Sequence, residues 1–183
     1  MAGAAGIGVA TVHDGGAVLD VYYPQPVIDS RAGTATGTTP VDADALRAAG
    51  EERLLGRLGR DEDRRVERVA VATNLSDLSV PPADAYDAYL RLHLLSHRLV
   101  QPHHLSMDGI FAVLNNVVWT TQGPCAVDGF EDTRIRLAAA GRPVQVTSVD
   151  KFPRMTDYVI PAGVRIADAD RVRLGAYLSP GTT

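Results

Sequence analysis

The chain has 183 residues, 45% of them hydrophobic, which is enough for one domain of ordinary size and a small appendage. A net charge of −4 without any run of five basic residues argues against a nucleic-acid partner, and no apolar run approaches the roughly 20 residues that span a bilayer. A single cysteine excludes an internal disulfide framework and the start lacks a basic n-region, so we expect a cytoplasmic protein.

The first third of the chain predicts strands before a helix. Residues 6–12 and 17–24 are β-branched and aromatic runs separated by a glycine-containing turn, which predicts a β-hairpin. Residues 29–40 carry little to bury and predict a loop. Asp42 is expected to cap a helix that runs to about Leu58.

The remaining two thirds alternate between the two kinds of element. The charge-dense residues 60–68 predict a solvated loop, and the alternation within 66–73 predicts a strand. The clearest helix covers about residues 83–100 and is closed by Pro102. Further predicted elements are a helix or strand at 107–114, a strand at 117–121, a helix at 131–140 and a strand at 144–149. Residues 1–155 are therefore expected to form one α/β or α+β domain.

The last 24 residues carry an aliphatic residue at every sixth position: Ile160, Ile166, Val172 and Leu178. A period of six fits neither a helix nor an ordinary strand and is typical of a hexapeptide-repeat parallel β-helix. The fifth place of each hexad should be small because it shares the narrow interior, and three hexads comply. We therefore expect residues 156–183 to begin such a solenoid.

Three hexads make one coil, so slightly more than one coil is present. A solenoid normally needs at least about three repeats before it buries enough apolar surface to be stable. We therefore expect this chain to be the front part of a longer polypeptide.

Asp170 is the exception at the fifth place of its hexad. A buried carboxylate must be paired or bound to a cation. If three copies of the prism meet at a threefold axis, three such carboxylates favour a divalent ion such as magnesium. The alternative is that Asp170 turns outward and pairs with Arg165, Arg171 or Arg173, and the residues alone leave both open.

Two arginines are weak candidates for substrate binding. Arg165 and Arg171 each hold the sixth place of a hexad, which faces outward on the prism, and they could attract anionic substrates to a groove between subunits. A role as surface solubilisers is the commoner fate of an arginine.

Four histidines and the cysteine are further candidates, for zinc ligation and for nucleophilic catalysis respectively. His93 and His97 have the i, i+4 spacing of zinc ligands, with His103 and His104 just beyond, but the acidic general base expected between the first pair is missing and a packing role is favoured. Cys125 has no histidine near it in sequence, so a small buried residue is favoured over a nucleophile.

Three stretches of the chain resemble the tetrahydrodipicolinate N-succinyltransferase family. They are DAYDAYLRLHLLSHRL, NNVVWTTQGPCAVDGF and VDKFPRMTDYVIPAGVRIADADRVRLGAYLSPGTT, and the resemblance extends over nearly all of residues 7–183, loosening at 29–61. It implies a homotrimer with an N-terminal α/β domain and a central left-handed parallel β-helix. It also implies transfer of a succinyl group from succinyl-CoA to the amino group of ring-opened tetrahydrodipicolinate, in lysine and diaminopimelate biosynthesis.

The resemblance assigns only part of the chemistry to this chain. It implies that Asp170 is a magnesium ligand shared between subunits. The second carboxylate ligand, the catalytic glutamate and the CoA-binding stretch would follow Thr183, so no catalytic residue is assigned here and we expect no turnover of succinyl-CoA by this chain alone. Another hexapeptide acyltransferase and a non-catalytic trimerisation module remain as alternatives.

Overall fold

The fold of residues 3–29 and 35–183, described by a computed structural model, is built around two antiparallel sheets. The larger sheet contains β1 Gly3–His13, β2 Val18–Tyr22, β3 Val27–Asp29, β4 Gly37–Pro40, β5 Gly59–Asp61 and β6 Val66–Leu75. The smaller sheet contains β7 Val117–Thr120, β8 Cys125–Ala126 and β9 Val146–Asp150. Because every strand pair among the described residues is antiparallel, the architecture is of the α+β type.

The long pair of β1 and β6 forms the centre of the larger sheet. Its register runs from Ala4 opposite Leu75 to His13 opposite Val66. Strands β2 and β3 pair with β1, while β4 and β5 pair with β6. The predicted hairpin is confirmed, since β1 and β2 pair from Val9 opposite Tyr22 to the turn after His13.

The helices are α1 Ala43–Ala48, α2 Ala85–Ser96, α3 Ile110–Val113 and α4 Phe130–Ala139. Short 3₁₀ helices occupy Glu52–Arg57, Met155–Asp157 and Ala169–Arg171. No helix among the described residues is long and apolar enough to cross a membrane.

Helix α2 is the central helix of the molecule and packs on the larger sheet. The Asp84 carboxylate accepts from the Asp87 N–H at 2.9 Å, and the Asp87 carboxylate accepts from the Ala83 N–H at 2.9 Å, so one amide of the first helical turn and one just before the helix are satisfied. Eleven of its twelve residues are buried. Even its arginine, Arg91, is inside, where it pairs with Asp87 at 2.6 Å and donates to two backbone carbonyls.

One main hydrophobic cluster joins α2 to both sheets and to the C-terminal residues. Its buried members include Val71 of β6, Leu90 of α2, Trp119 of β7 and Leu174. A smaller cluster beneath α1 is formed around Leu46 and three further residues. The C-terminal residues therefore pack on the same core as the rest of the chain.

Two predictions in the first third of the chain are corrected. The loop predicted at 29–40 contains β4, which pairs with β6, while its residues 30–34 lie outside the described part. The single helix predicted to reach Leu58 is divided, because Gly50 adopts a left-handed conformation with φ of +73° between α1 and the following 3₁₀ helix.

Two further corrections concern element boundaries. The charged loop predicted at 60–68 overlaps β5 and the first residues of β6, with only a turn between them. Helix α2 ends at Ser96 instead of about residue 100, because Arg98 adopts a left-handed φ of +60°. The strands predicted at 66–73, 117–121 and 144–149 and the helix at 131–140 are confirmed as β6, β7, β9 and α4.

Candidate functional site

Residues 156–183, called the tail below, are fastened to the core by a short antiparallel contact. The Met155 N–H donates to the Val172 carbonyl at 2.8 Å, and the Leu174 N–H donates to the Pro153 carbonyl at 2.9 Å. Both Met155 and Leu174 are almost completely buried. Because these backbone bonds flank buried side chains, the path of the tail is fixed where it leaves the domain.

The sequence predicts that the six-spaced aliphatic residues are buried inside a prism. Three of the four are half-buried, and they pack against the main core: Ile166, Val172 and Leu178. The prediction is wrong for Ile160, which is 79% exposed and precedes a turn at residues 162–163. Within the tail as described, the backbone forms turns, the end of the 3₁₀ helix Met155–Asp157 and the 3₁₀ helix Ala169–Arg171 in place of regular strands.

Two backbone hydrogen bonds join segments of the tail that lie about one coil apart. The Gly181 N–H donates to the Gly163 carbonyl at 2.7 Å, eighteen positions earlier in the sequence. The Arg165 N–H donates to the Thr182 carbonyl at 2.9 Å. Residues 163–165 and 181–182 therefore lie side by side, at about the separation along the chain that three hexads give.

Asp170 lies on the surface of the tail, where its side chain is 72% exposed. Its Oδ1 accepts from the Arg154 guanidinium at 2.7 Å, and the same guanidinium binds Asp157 at 3.0 Å. The pairing partners expected from the sequence, Arg165, Arg171 and Arg173, are therefore wrong, although a cationic partner is present. The Asp157 and Asp170 carboxylates raise the pKa of Arg154 above its ordinary value.

Asp170 does not form a metal site within one chain. Magnesium requires several oxygen ligands in near-octahedral geometry. Among residues 3–29 and 35–183, no group of three or more His, Cys, Asp or Glu side chains is arranged to hold a metal ion. The described part of one copy therefore offers fewer than three such ligands at Asp170, and the remaining ligands of any such ion have to come from elsewhere.

The two weak substrate-binding candidates are both exposed. The Arg171 side chain is 88% exposed and approaches Asp168 at 3.7 Å, which is a loose surface pair. Arg165 is held by its backbone, through the bond to Thr182, and its residue is exposed. Both side chains are accessible to an anionic ligand, and the structure does not bring them together around a cavity.

His93 is a structural residue, so the zinc hypothesis is wrong. Its Nδ1 lies 2.7 Å from the Tyr89 carbonyl and its Nε2 lies 3.3 Å from the Tyr23 N–H. Backbone groups thus occupy both ring nitrogens, with the proton on Nδ1. Burial lowers the pKa of His93 from 6.5 to about 3, so the ring is neutral.

The other histidines do not complete a metal site with His93. His97 stacks on it at a centroid distance of 6.3 Å, and burial lowers the pKa of His97 as well. His103 and His104 lie in the exposed loop after α2, where they line a cleft.

Cys125 is also structural. It is fully buried in β8, and burial raises the pKa of its thiol, so the thiolate that a nucleophile needs is disfavoured.

An open cleft of about 1210 Å³ lies between the tail and the loop that follows α2. Its apolar lining includes Leu78, Leu95, Leu99 and Met107, and its polar lining includes Gln101, His103, His104 and Tyr177. A second, smaller cleft of about 500 Å³ lies beside α4 and β9. The larger cleft is therefore bordered directly by tail residues.

Sequence reasoning missed three residues that shape the tail. Arg154 holds Asp170, Ser96 binds the tail backbone, and Gly175 allows Leu92 to approach closely. No pattern in the sequence distinguishes Arg154 from other loop residues or Ser96 from other helix residues. Gly175 could have been suspected, since it holds the same fourth place in its hexad as Gly163 and Gly181.

Comparisons with known proteins agree on one family. Residues 114–154 match the family model described as tetrahydrodipicolinate N-succinyltransferase middle. The chain is 48% identical over 97% of its length to the 2,3,4,5-tetrahydropyridine-2,6-dicarboxylate N-succinyltransferase of Salinispora tropica, covering 54% of that protein. It is 42% identical over 96% of its length to the protein of the same name from Pseudomonas putida, covering 56%.

A solved structure from Campylobacter jejuni, described as a candidate 2,3,4,5-tetrahydropyridine-2-carboxylate N-succinyltransferase, has the same fold. The TM-score is 0.76 at 21% identity, over 98% of this chain and 55% of the solved chain. The chain thus spans about half the length of the relatives it matches. Over nearly all of its own length, it is related to the tetrahydrodipicolinate N-succinyltransferases.

Proposed function

We propose that this chain is part of an enzyme that transfers a succinyl group from succinyl-CoA to ring-opened tetrahydrodipicolinate, in lysine and diaminopimelate biosynthesis. In this reaction the substrate amine attacks the thioester carbonyl, an amide bond forms, the carbon–sulfur bond breaks and CoA leaves as the thiol. The observation that carries the proposal is the 48% identity to the Salinispora enzyme over 97% of this chain.

The proposed role of the tail is to begin a left-handed parallel β-helix. Its support is the six-residue aliphatic period and the two backbone bonds that join residues 163–165 to 181–182. The half-burial of Ile166, Val172 and Leu178 agrees with an apolar inner side.

The proposed assembly is a homotrimer with magnesium near its axis. Asp170 is the one ligand proposed in this chain, and its 72% exposure leaves its carboxylate accessible to copies of itself. The ion would offset the mutual repulsion of the three carboxylates. Binding of the ion would require the hydrogen bond between Arg154 and Asp170 to break.

Arg165 and Arg171 are proposed to attract the anionic substrates. Both succinyl-CoA and the dicarboxylate acceptor carry negative charge, and exposed guanidinium groups raise the local concentration of such ligands. The exposed positions of both residues support this role. A cytoplasmic location, where succinyl-CoA and reduced cysteines are expected, stays a prediction.

The decisive experiment is a chimera. This chain replaces the matching part of the Salinispora enzyme, and release of CoA thiol is measured with tetrahydrodipicolinate as acceptor. We expect thiol release that depends on the acceptor, with the intact Salinispora enzyme as the positive control. A chimera that melts cooperatively and assembles like that enzyme, yet releases no thiol above the acceptor-free rate, would contradict the proposal.

The same chimera separates the alternative acyl acceptors. Turnover with a different amine in preference to tetrahydrodipicolinate would indicate another hexapeptide acyltransferase. Assembly without turnover of any acceptor would indicate that the chain serves only to associate subunits.

A further inference from the structure

The C-terminal end of α2 binds the backbone of the tail through one hydroxyl group. The Gly175 N–H donates to Ser96 Oγ at 2.9 Å, and the Ser96 hydroxyl donates to the Ala176 carbonyl at 3.2 Å. Ser96 is completely buried and its partners Gly175 and Ala176 are half-buried, so water has limited access to the two bonds. A single side chain therefore satisfies a donor and an acceptor on consecutive tail residues, which fixes both the position and the direction of the backbone there.

Neighbouring residues reinforce this contact from the same end of α2. The Arg98 guanidinium lies 3.4 Å from the Leu178 carbonyl, and the Gln101 amide donates to the Tyr177 hydroxyl at 2.9 Å. Each reaches the tail two or three residues further along than the Ser96 bonds. The Arg98 contact is long and the Gln101 contact is exposed, so the two Ser96 bonds are the stronger part of the set.

The residues that Ser96 holds lie directly before the second wrap of the tail. Only four residues separate Ala176 from Gly181, whose N–H donates to the Gly163 carbonyl. Because so short a segment has few backbone degrees of freedom, the position of its first residue restricts the position of its last. The register of residues 181–182 against residues 163–165 thus depends on where residues 175–176 are held.

We propose that Ser96 is a positioning residue that sets the register between the first and second wraps of the tail. In this role α2 is the template on which the solenoid starts, and the N-terminal domain determines how the first coils stack. The inference rests on the proposed function, in which the tail begins a β-helix. It assigns a reason for the buried serine that the motif HLLSH does not reveal.

The test is amide hydrogen exchange on the Ser96→Ala variant of the full chain. Loss of the hydroxyl removes the partner of the Gly175 N–H and of the Ala176 carbonyl, which both belong to half-buried residues. We expect exchange at Gly175 to become about tenfold faster or more, and the same direction of change at Arg165 and Gly181, which Ser96 does not touch. Exchange in the central pair of β1 and β6 should stay within about twofold.

A matched control separates positioning from a general loss of stability. Thr133 in α4 is also buried, and its hydroxyl accepts from Arg136 at 2.8 Å, away from the tail. Thr133→Ala should lower the melting temperature without a selective change at Arg165 and Gly181. Ser96→Cys, which keeps a weak donor and acceptor of similar size, should restore part of the protection and serves as the measured variant if Ser96→Ala does not fold.

The outcomes distinguish this inference from the proposed function. If Arg165 and Gly181 exchange at unprotected rates in the unaltered chain, the paired wraps do not exist and the solenoid proposal fails. If they are protected in the unaltered chain and remain equally protected in both Ser96 variants, the wraps exist but Ser96 does not position them. Selective loss in Ser96→Ala with partial recovery in Ser96→Cys supports the inference.

Discussion

At the scale of single residues, the structure shows how much of a side chain's role is decided by its surroundings. The sequence places His93 and His97 on one face of a helix, and this geometry is correct because the rings stack. The chemistry differs because Tyr23 and Tyr89 offer their backbone groups to the two nitrogens of His93. Those groups come from the residue that follows β2 and from the previous helical turn, and their approach cannot be read from the spacing of two histidines.

The same limit applies to Asp170. The sequence indicates that its carboxylate needs a cation, and the structure provides one. The partner, Arg154, precedes it by sixteen residues and reaches it because residues 153–155 pair with residues 172–174. A contact that depends on this pairing lies beyond what local sequence can predict.

His93 makes stability depend on pH. In the folded chain its pKa is about 3, whereas in the unfolded chain it returns to about 6.5, so below pH 6.5 the unfolded state binds a proton that the folded state does not. The contribution of neutral His93 to the free energy of unfolding should therefore be fully present above about pH 6.5. It should fall by up to about 1.4 kcal/mol per pH unit as the pH is lowered towards 3. The measurement is urea unfolding of His93→Gln and of the unaltered chain at about pH 7 and about pH 5. The variant should lose less free energy of unfolding between the two pH values than the unaltered chain does.

Exposed His104 provides the control, since His104→Gln should reproduce the loss seen in the unaltered chain. Asp20 makes stability depend on pH in the opposite direction. Burial raises the pKa of its carboxyl in the folded chain, so the contribution of Asp20 to stability is lost as the pH rises. Equal pH dependence of His93→Gln and the unaltered chain would show that His93 titrates normally in the fold.

Gly175 is the residue at which a single methyl group should do most damage to the tail. It adopts φ of +99°, and a Cβ added there would lie 2.5 Å from Leu92 Cδ2. Gly175→Ala should cost roughly 2–4 kcal/mol, from backbone strain and overpacking together. Thermal melting should show the loss, and Gly56→Ala, where a Cβ meets open space and φ is ordinary, should be close to neutral. A harmless Gly175→Ala would mean that the tail is not seated on α2.

At the scale of elements, the regular patterns were predictable and the charged ones were not. The strand β6 and the existence of α2 follow from the pattern of apolar residues, which local sequence reports directly, whereas the end of α2 at Ser96 does not. The charge-dense residues 60–68 were expected to be solvated, yet Arg64 is only 4% exposed. Charge density alone does not distinguish a solvated loop from an ion-pair network at the junction of two sheets.

That network joins the turn between β5 and β6 to the smaller sheet. Asp61 accepts from Arg64 at 2.9 Å and from Arg142 at 2.8 Å, and Arg64 also donates to the Pro124 carbonyl at 3.1 Å. Although burial acts to raise the pKa of Asp61, the hydrogen bonds from these two arginines outweigh it and lower that pKa below its ordinary value. The two sheets are thus connected by buried charge as well as by the core.

Arg64→Met should therefore be costly. It removes one buried cation from Asp61 and leaves the Pro124 carbonyl without this donor, for a loss of roughly 2–4 kcal/mol in the free energy of unfolding. The matched control is Arg134→Met in α4, where the pair with Glu131 is exposed and should contribute about 0–1 kcal/mol. Urea unfolding of the two variants should show this contrast, and equal losses would argue against a buried network.

At the scale of the whole molecule, the tail and the domain before it are joined through one core and several long-range polar contacts. The Tyr158 hydroxyl donates to Asp20 Oδ2 at 2.6 Å, 138 residues away in sequence. The hexapeptide period predicted that the tail would differ from the rest, and its tightest side chain, Leu174, nevertheless belongs to the main cluster. The repeat residues Ile166, Val172 and Leu178 pack against the same core, and Leu174, which lies between two repeat positions, is the most deeply buried of the four.

Arg154 allows a test of the proposed assembly, because its guanidinium would compete with a metal ion for the Asp170 carboxylate. If three copies of Asp170 share magnesium, removal of the competing cation in Arg154→Gln should strengthen the response to the metal. We expect magnesium chloride to raise the melting temperature by about 2–5 °C in the unaltered chain, by more in Arg154→Gln and not at all in Asp170→Asn.

Sodium chloride at equal ionic strength removes the effect of general screening, and Arg134→Gln, which alters a distant surface pair, should respond like the unaltered chain. Mass measurement with and without chelator then relates the shift to assembly, since an ion on the axis stabilises the trimer and not the single chain. An equal magnesium shift in Asp170→Asn would place the ion elsewhere. A shift in Arg154→Gln without any change in mass would mean that Asp170 binds the ion within one copy, against the ligand count that a single chain offers.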